Sequence, residues 1–165
     1  MERSRVCCFT GHREIPEGIA PFLRAQIRAQ VQQLNREGYD TFLCGGALGF
    51  DTLAAETVLE EKQAGLPVRL ALALPCRDQH LRWSRQNQQR YLSILAAADE
   101  AVFLNEQYCP GCMQQRNRYL VEHSSRCIAY CVRDSGGTAY TVNHCRRKHV
   151  PVLLLRPCPP REQRR

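Results

Sequence analysis

Short apolar runs alternate along the chain with longer stretches in which apolar residues recur every three or four positions. RVCCFT (5–10), ended by Gly11, predicts a buried strand. Ile19, Phe22, Leu23, Ile27, Val31 and Leu34 then fall at helical spacing, and Gly38 closes that helix. TFLC (41–44) predicts a second strand, and Leu53, Ala54, Val58 and Leu59 mark a helix running to about Gly65. VRLALAL (68–74) is a third strand, stopped by Pro75. From Asp78 to Ala98 the positions of Leu81, Trp83, Tyr91, Leu92, Ile94 and Leu95 predict a helix with one break, with Trp83 in the core. AVFL (101–104), CIAYCV (127–132) and VPVLLL (150–155) complete the strands, and MQQRNRYLVEHS (113–124) and TAYTVNHCRRKH (138–149) complete the helices.

Strands that read as continuous apolar runs and alternate with helices imply a mostly parallel sheet flanked by helices, a three-layer Rossmann-like α/β fold. Residues 1–156 form a single domain in this reading, and 157–165 form a basic, flexible C-terminal tail. Such sheets bind ligands outside the carboxyl ends of their strands, near the point where strand order reverses. The loops of interest are therefore TGHR (10–13), GGALGFD (45–51), PCRDQ (75–79), the segment 105–116 and DSGGT (134–138).

Composition narrows the class. The 165 residues are 44% hydrophobic and 24% charged, as in a globular domain. No apolar run reaches the roughly 20 residues that span a bilayer. The N-terminal apolar stretch is too short for a secretory leader, so a cytoplasmic protein with no membrane partner is expected. The net charge of +7 is concentrated in RRKH (146–149) and the tail, which reads as a solvated basic face before a nucleic-acid track. Of ten cysteines, Cys7, Cys8, Cys44, Cys127 and Cys131 lie in apolar runs, and most are expected as core thiols. Cys109 and Cys112, in CPGC, have the spacing of zinc and redox pairs, but no second pair follows, so no metal is assigned beyond this weak candidate.

The candidate chemistry lies in the glycine-rich loops. Gly45, Gly46 and Gly49 fall between a strand and a helix, where first-turn N–H groups attract anions and the absence of Cβ lets a phosphate approach. The same glycines also suit a tight turn with close helix-to-strand contact. Gly136, Gly137 and Thr138 form a second such loop. Asp51 is placed to bond a ribose hydroxyl or to cap its helix. Arg116 is placed to reach a phosphate, and Gly11, His12 and Arg13 follow the first strand at the same edge.

Taken in order, TGHR, CGGALGFDTLAAE (44–56), LPCRDQ with Trp83, CMQQRN (112–117) and GGTAYT (136–141) resemble the YpsA-type family of the SLOG superfamily over residues 5–155. The resemblance implies a Rossmann-like fold and a nucleotide-like ligand, held by a sensor or regulatory protein with links to bacterial stress and cell division. It also implies Asn117 as part of the ligand site, and related folds suggest a homodimer. Two relatives supply alternatives. LOG phosphoribohydrolases cleave nucleoside monophosphates with an Arg in Met-x-x-Arg and a Glu after a Gly-Gly-x-Gly-Thr loop. Met113, Arg116, Gly136, Gly137 and Thr138 match these motifs, which makes Arg116 the catalytic candidate if the chain is an enzyme. The Glu is absent, because Ala139, Tyr140 and Thr141 follow, leaving Asp51 or Asp134 as the available carboxylates. DprA proteins bind single-stranded DNA and share the Gly-x-Ala-x-Gly-x-Asp pattern and the Arg-Asn-Arg of 116–118. The expectation is a binder of a nucleotide, nucleotide sugar or ADP-ribose-like compound, with no certain cofactor.

Overall fold

The computed structural model describes residues 1–157, so the expected tail lies, Pro157 apart, outside the described residues. Six strands, Val6–Gly11 (β1), Thr41–Cys44 (β2), Arg69–Leu74 (β3), Glu100–Phe103 (β4), Arg126–Tyr130 (β5) and Val152–Leu154 (β6), form one sheet in the order β4-β3-β2-β1-β5-β6. Every pairing is parallel, so the chain adopts the Rossmann-like fold its alternation implies. The helices are Ala20–Arg36 (α1), Phe50–Gln63 (α2), Arg85–Ala97 (α3), Cys112–Glu122 (α4) and Gly137–Arg147 (α5).

Because successive strand residues point to opposite faces, each strand contributes to two cores. Cys7, Phe9, Phe42, Cys44, Leu70, Leu72, Leu74, Ile128 and Tyr130 pack with residues of α1, α2 and α3. Val6, Cys8, Leu43, Ala71, Ala73, Cys127 and Ala129 pack with residues of α4 and α5. The three-helix face is thus built from bulky side chains and the two-helix face from small ones. Phe9 anchors the bulky face, its ring 5.9 Å from that of Phe42 and 6.3 Å from that of Phe50. Truncating one such buried ring to Ala costs about 3–5 kcal/mol.

One expectation needs correction. The segment 78–84 is a series of turns, and α3 begins only at Arg85, where Ser84 Oγ accepts the Asn87 N–H at 3.2 Å. Leu81 and Trp83 are two residues apart, which no helix places on one face. Accordingly Leu81 is 64% exposed, while Trp83 is half-buried against the core and edge-on to Tyr91. Of the five cysteines in apolar runs, Cys131 alone is at the margin of the core, packed against the two-helix face. It lies past the end of β5, half-buried, with its Sγ donating to the Arg133 carbonyl at 3.3 Å. Cys7, Cys8, Cys44 and Cys127 are fully buried, and all nine described cysteines are free thiols.

From β1 to β4 the chain adds strands outward on one side of β1. Helix α4 then carries it back across the sheet to β5, on the other side of β1. Strand order reverses there, so the carboxyl ends of β1 and β5 are where sheets of this kind bind ligands.

Candidate functional site

A cavity of about 410 Å³ opens at that edge, within the range of small-molecule sites. Its walls are residues 9–14 at the end of β1 and just beyond it, Ala47 and Asp51 around the start of α2, Met113, Arg116, Asn117 and Leu120 of α4, and Arg133 with 135–138 leading into α5. Of the residues expected at a site, Gly11, His12, Arg13, Asp51, Arg116, Asn117, Gly136, Gly137 and Thr138 are brought together here from distant parts of the chain. Glu14 and Arg133 join them without any motif to mark them. The available signal was topological, since each follows the last residue of its strand, Gly11 or Tyr130, by three positions.

Gly45, Gly46 and Gly49 do not line the cavity; they fit its wall together from behind. Gly49 has φ +75°, and a Cβ there would sit 2.2 Å from the Arg13 carbonyl oxygen and 2.7 Å from that of His12. That close approach lets the Phe50 N–H donate to the His12 carbonyl at 3.0 Å. A Cβ on Gly46 would meet Leu74. Gly45 is wedged between charges, with a Cβ position 2.6 Å from Arg116 Nη1 and 2.9 Å from Asp51 Oδ2.

Arg116 is buried, its Nε donating to Asn117 Oδ1 at 2.8 Å and its Nη1 donating to the Gly45 carbonyl. Among the described residues, Nη2 has no protein acceptor on this cavity wall. Burial pushes the guanidinium pKa down, and the negative charge of Asp51 opposes the shift. Asp51 Oδ2 accepts the Ala47 N–H at 3.1 Å. Burial raises its carboxyl pKa, against the opposing pull of Arg116, the Ala47 N–H and Arg13. His12 Nε2 accepts the Val132 N–H at 2.9 Å, which places the ring proton on Nδ1. Burial first, and then the charge of Arg133, lower its pKa and keep the ring neutral.

At α5 the same kind of loop is arranged differently. Gly136 is the N-cap, with no side-chain cap hydrogen bond and no acidic residue in the first turn. A Cβ on Gly136 would meet nothing within 4 Å, and one on Gly137 only Asn117 Nδ2 at 3.7 Å. The positive end of the helix dipole therefore faces open cavity. Arg13 stands at the same cavity, exposed, its Nη2 3.8 Å from the Met113 sulfur. Asp134, the other carboxylate considered, lines a separate depression with Val132 and Arg156. Among the described residues no group of three or more His, Cys, Asp or Glu is arranged to hold a metal ion, and no helix is long and apolar enough to cross a membrane.

The parallel sheet and its order reversal define a Rossmann-like α/β protein, with a cavity at the edge where such sheets bind ligands. The chain belongs to the YspA SLOG family, whose profile matches residues 8–150, in agreement with the resemblance carried by its motifs. It is 28% identical over 162 residues to a UPF0398 protein of Bacillus pumilus, covering 92% of this chain and 87% of the relative. It is 27% identical over 147 residues to the uncharacterized SPbeta prophage-derived protein YoqJ of Bacillus subtilis, covering 81% of this chain and 86% of that one. Among solved structures it is similar to DNA processing protein A of Streptococcus pneumoniae, with TM-score 0.70 and 15% identity over 96% of this chain and 52% of that one. It is also similar to DNA processing protein A of Helicobacter pylori, whose structure addresses single-stranded DNA binding, with TM-score 0.64 and 18% identity over 97% and 68% of the two chains. At these identities the likeness is one of fold.

Proposed function

We propose that the cavity binds a phosphorylated, nucleotide-like ligand and that the chain is a ligand sensor. The phosphate rests on the N–H groups of α5 at Gly136, Gly137 and Thr138, with the guanidinium groups of Arg13 and Arg116 beside it, and Asp51 meets the sugar. The observation that carries this reading is the α5 N-terminus, uncapped and with no acidic residue in its first turn, opening into a cavity that Arg13, Arg116 and Arg133 also line.

A thermal-shift series against AMP, ADP-ribose, NAD and a short single-stranded oligonucleotide tests it. At a hundredfold excess over Kd a ligand specific to the native state adds about 2.7 kcal/mol. Gly137→Asp is the decisive variant. It puts a carboxylate on the anion seat at a position where an added Cβ meets only Asn117 Nδ2, at 3.7 Å, and an acid in a helix's first turn is itself stabilising. A nucleotide shift that survives this change, or no nucleotide shift in the unaltered protein, defeats the proposal. A shift with the oligonucleotide alone would transfer the reading to single-stranded DNA.

Asp51 gives one specific reason for a second reading, cleavage of a nucleoside monophosphate. It is a buried carboxyl with a raised pKa on the same wall, the environment that suits a general acid. That reading predicts free base accumulating in the same samples and none from Asp51→Asn. Absence of base with a bound monophosphate would leave binding alone.

A further inference from the structure

The CPGC segment precedes α4 at the carboxyl end of the sheet. The Cys112 N–H donates to the Cys109 carbonyl at 3.1 Å, closing a four-residue turn. Gly111 at its third position has φ +82° and ψ −1°, and Pro110 occupies the second, which defines a type II turn. Such a turn holds its outer Cα atoms within about 7 Å, and disulfides bridge Cα separations of about 4.4–6.8 Å. The turn thus brings the two Cα atoms toward the separation a bridge spans. Cys112 is buried as the first residue of α4, while Cys109 is half-buried and accessible. No third metal-ligating group joins the pair among the described residues, and the spacing is also that of dithiol–disulfide pairs.

We propose that Cys109 and Cys112 form a reversible intramolecular disulfide by exchange with small-molecule disulfides, and that this bridge fixes the first turn of α4. In the first step the Cys109 thiolate attacks one sulfur of RSSR, giving a mixed disulfide at Cys109 and releasing RS⁻. In the second, the Cys112 thiolate attacks the Cys109 sulfur and expels the other RS⁻. The sum is two protein thiols and RSSR giving one protein disulfide and two RSH, so protein sulfur is oxidised and RSSR reduced. Desolvation, with Cys112 adding to it, holds the Cys109 thiol above its ordinary pKa, so at neutral pH it is a protonated thiol suited to a slow switch and not to rapid oxidoreductase turnover. Helix α4 bears Met113, Arg116 and Asn117 on the cavity wall, and Gln115 Oε1 accepts from Asn105 Nδ2 at 2.8 Å. The turn thus sits at the head of the helix that shapes the cavity, whatever the cavity binds.

The test uses the folded chain with oxidised glutathione, followed by blocking of free thiols and peptide mass mapping. The expected product is a Cys109–Cys112 bridge without retained glutathione. Cys109→Ser should give no bridge, and Cys112→Ser should stop at the glutathione adduct on Cys109. Since Cys112 is buried, Cys109→Ser alone suffices if the other variant does not fold. Hydrogen exchange of residues 112–117 should slow on oxidation and recover on reduction. A glutathione adduct on Cys109 that Cys112 does not displace, a bridge mapping to Cys76 instead, or exchange at 112–117 that ignores the redox state would each overturn the proposal.

Discussion

Two glycine-rich loops open two helices at one edge of the sheet, and they do opposite things. At α2 the chain fills its own helix start: the His12 carbonyl takes the Phe50 N–H, Asp51 supplies the negative charge, and the missing Cβ atoms of Gly45 and Gly49 are replaced by Arg116, Asp51 and the backbone of residues 12 and 13. At α5 nothing takes that place, and the missing Cβ atoms of Gly136 and Gly137 leave space. The lesson is that a glycine between strand and helix marks a close approach without saying by what. At α2 the approaching group belongs to the protein. At α5 the space is left open, and that asymmetry is the reason for placing the proposed phosphate on α5.

The largest effect should separate the two loops by one methyl group. Gly49→Ala forces an L residue to φ +75° with its Cβ against a backbone carbonyl, and should lower stability by roughly 3 kcal/mol in urea titration. Gly137→Ala meets no obstacle and should change stability by about 0.5 kcal/mol or less, in the stabilising direction. Similar losses at both positions would erase the distinction. Next, Gly137→Asp gives α5 the charge that α2 already carries, and should abolish the roughly 2.7 kcal/mol of nucleotide-dependent stabilisation at a hundredfold excess while leaving the ligand-free melting temperature intact. Arg13→Ala should then weaken nucleotide affinity about tenfold at low salt and less at high salt, with little change in folding, because the side chain is exposed.

The smallest effect lies in the residue that joins the two loops. His12 holds α2 through its carbonyl and the loop toward α5 through Nε2. Its folded-state pKa is lowered, so the native state binds fewer protons than the unfolded one. That contribution is complete above the unfolded value of about 6.5 and is lost as pH falls through the folded value. His12→Gln keeps an acceptor for the Val132 N–H but does not titrate. Its stability relative to the unaltered protein should therefore rise on acidification below about pH 6.5, and parallel pH profiles would refute the assignment.

Much of the fold was legible because it is written locally. Runs such as VCCF (6–9) and LALAL (70–74) have no polar break, and Leu23, Ile27, Val31 and Leu34, all buried, keep helical spacing through α1. Residues 78–84 misled because they mix apolar residues into a segment held by aromatic contacts among His80, Trp83 and Tyr91 rather than by helix periodicity. The candidate site was legible where a motif names it, at Arg116, Asp51 and the 136–138 loop. It was not legible where the determinant is a contact across the fold. No local pattern reveals that Gly45 gives its space to Arg116, more than seventy positions away, or that Glu14 and Arg133 meet at one cavity.

The insertion of β5 beside β1 also sets an order of events during synthesis. Cys8 pairs in register with Cys127, so β1 waits for its second neighbour until most of the chain has left the ribosome. Until then β1 has one unpaired edge, a template for association with other chains. A fragment ending at residue 104 should therefore aggregate in light scattering where the full chain does not. Because the cavity's walls run from residue 9 to residue 138, no such fragment can assemble it, and ligand capture would report on a finished chain.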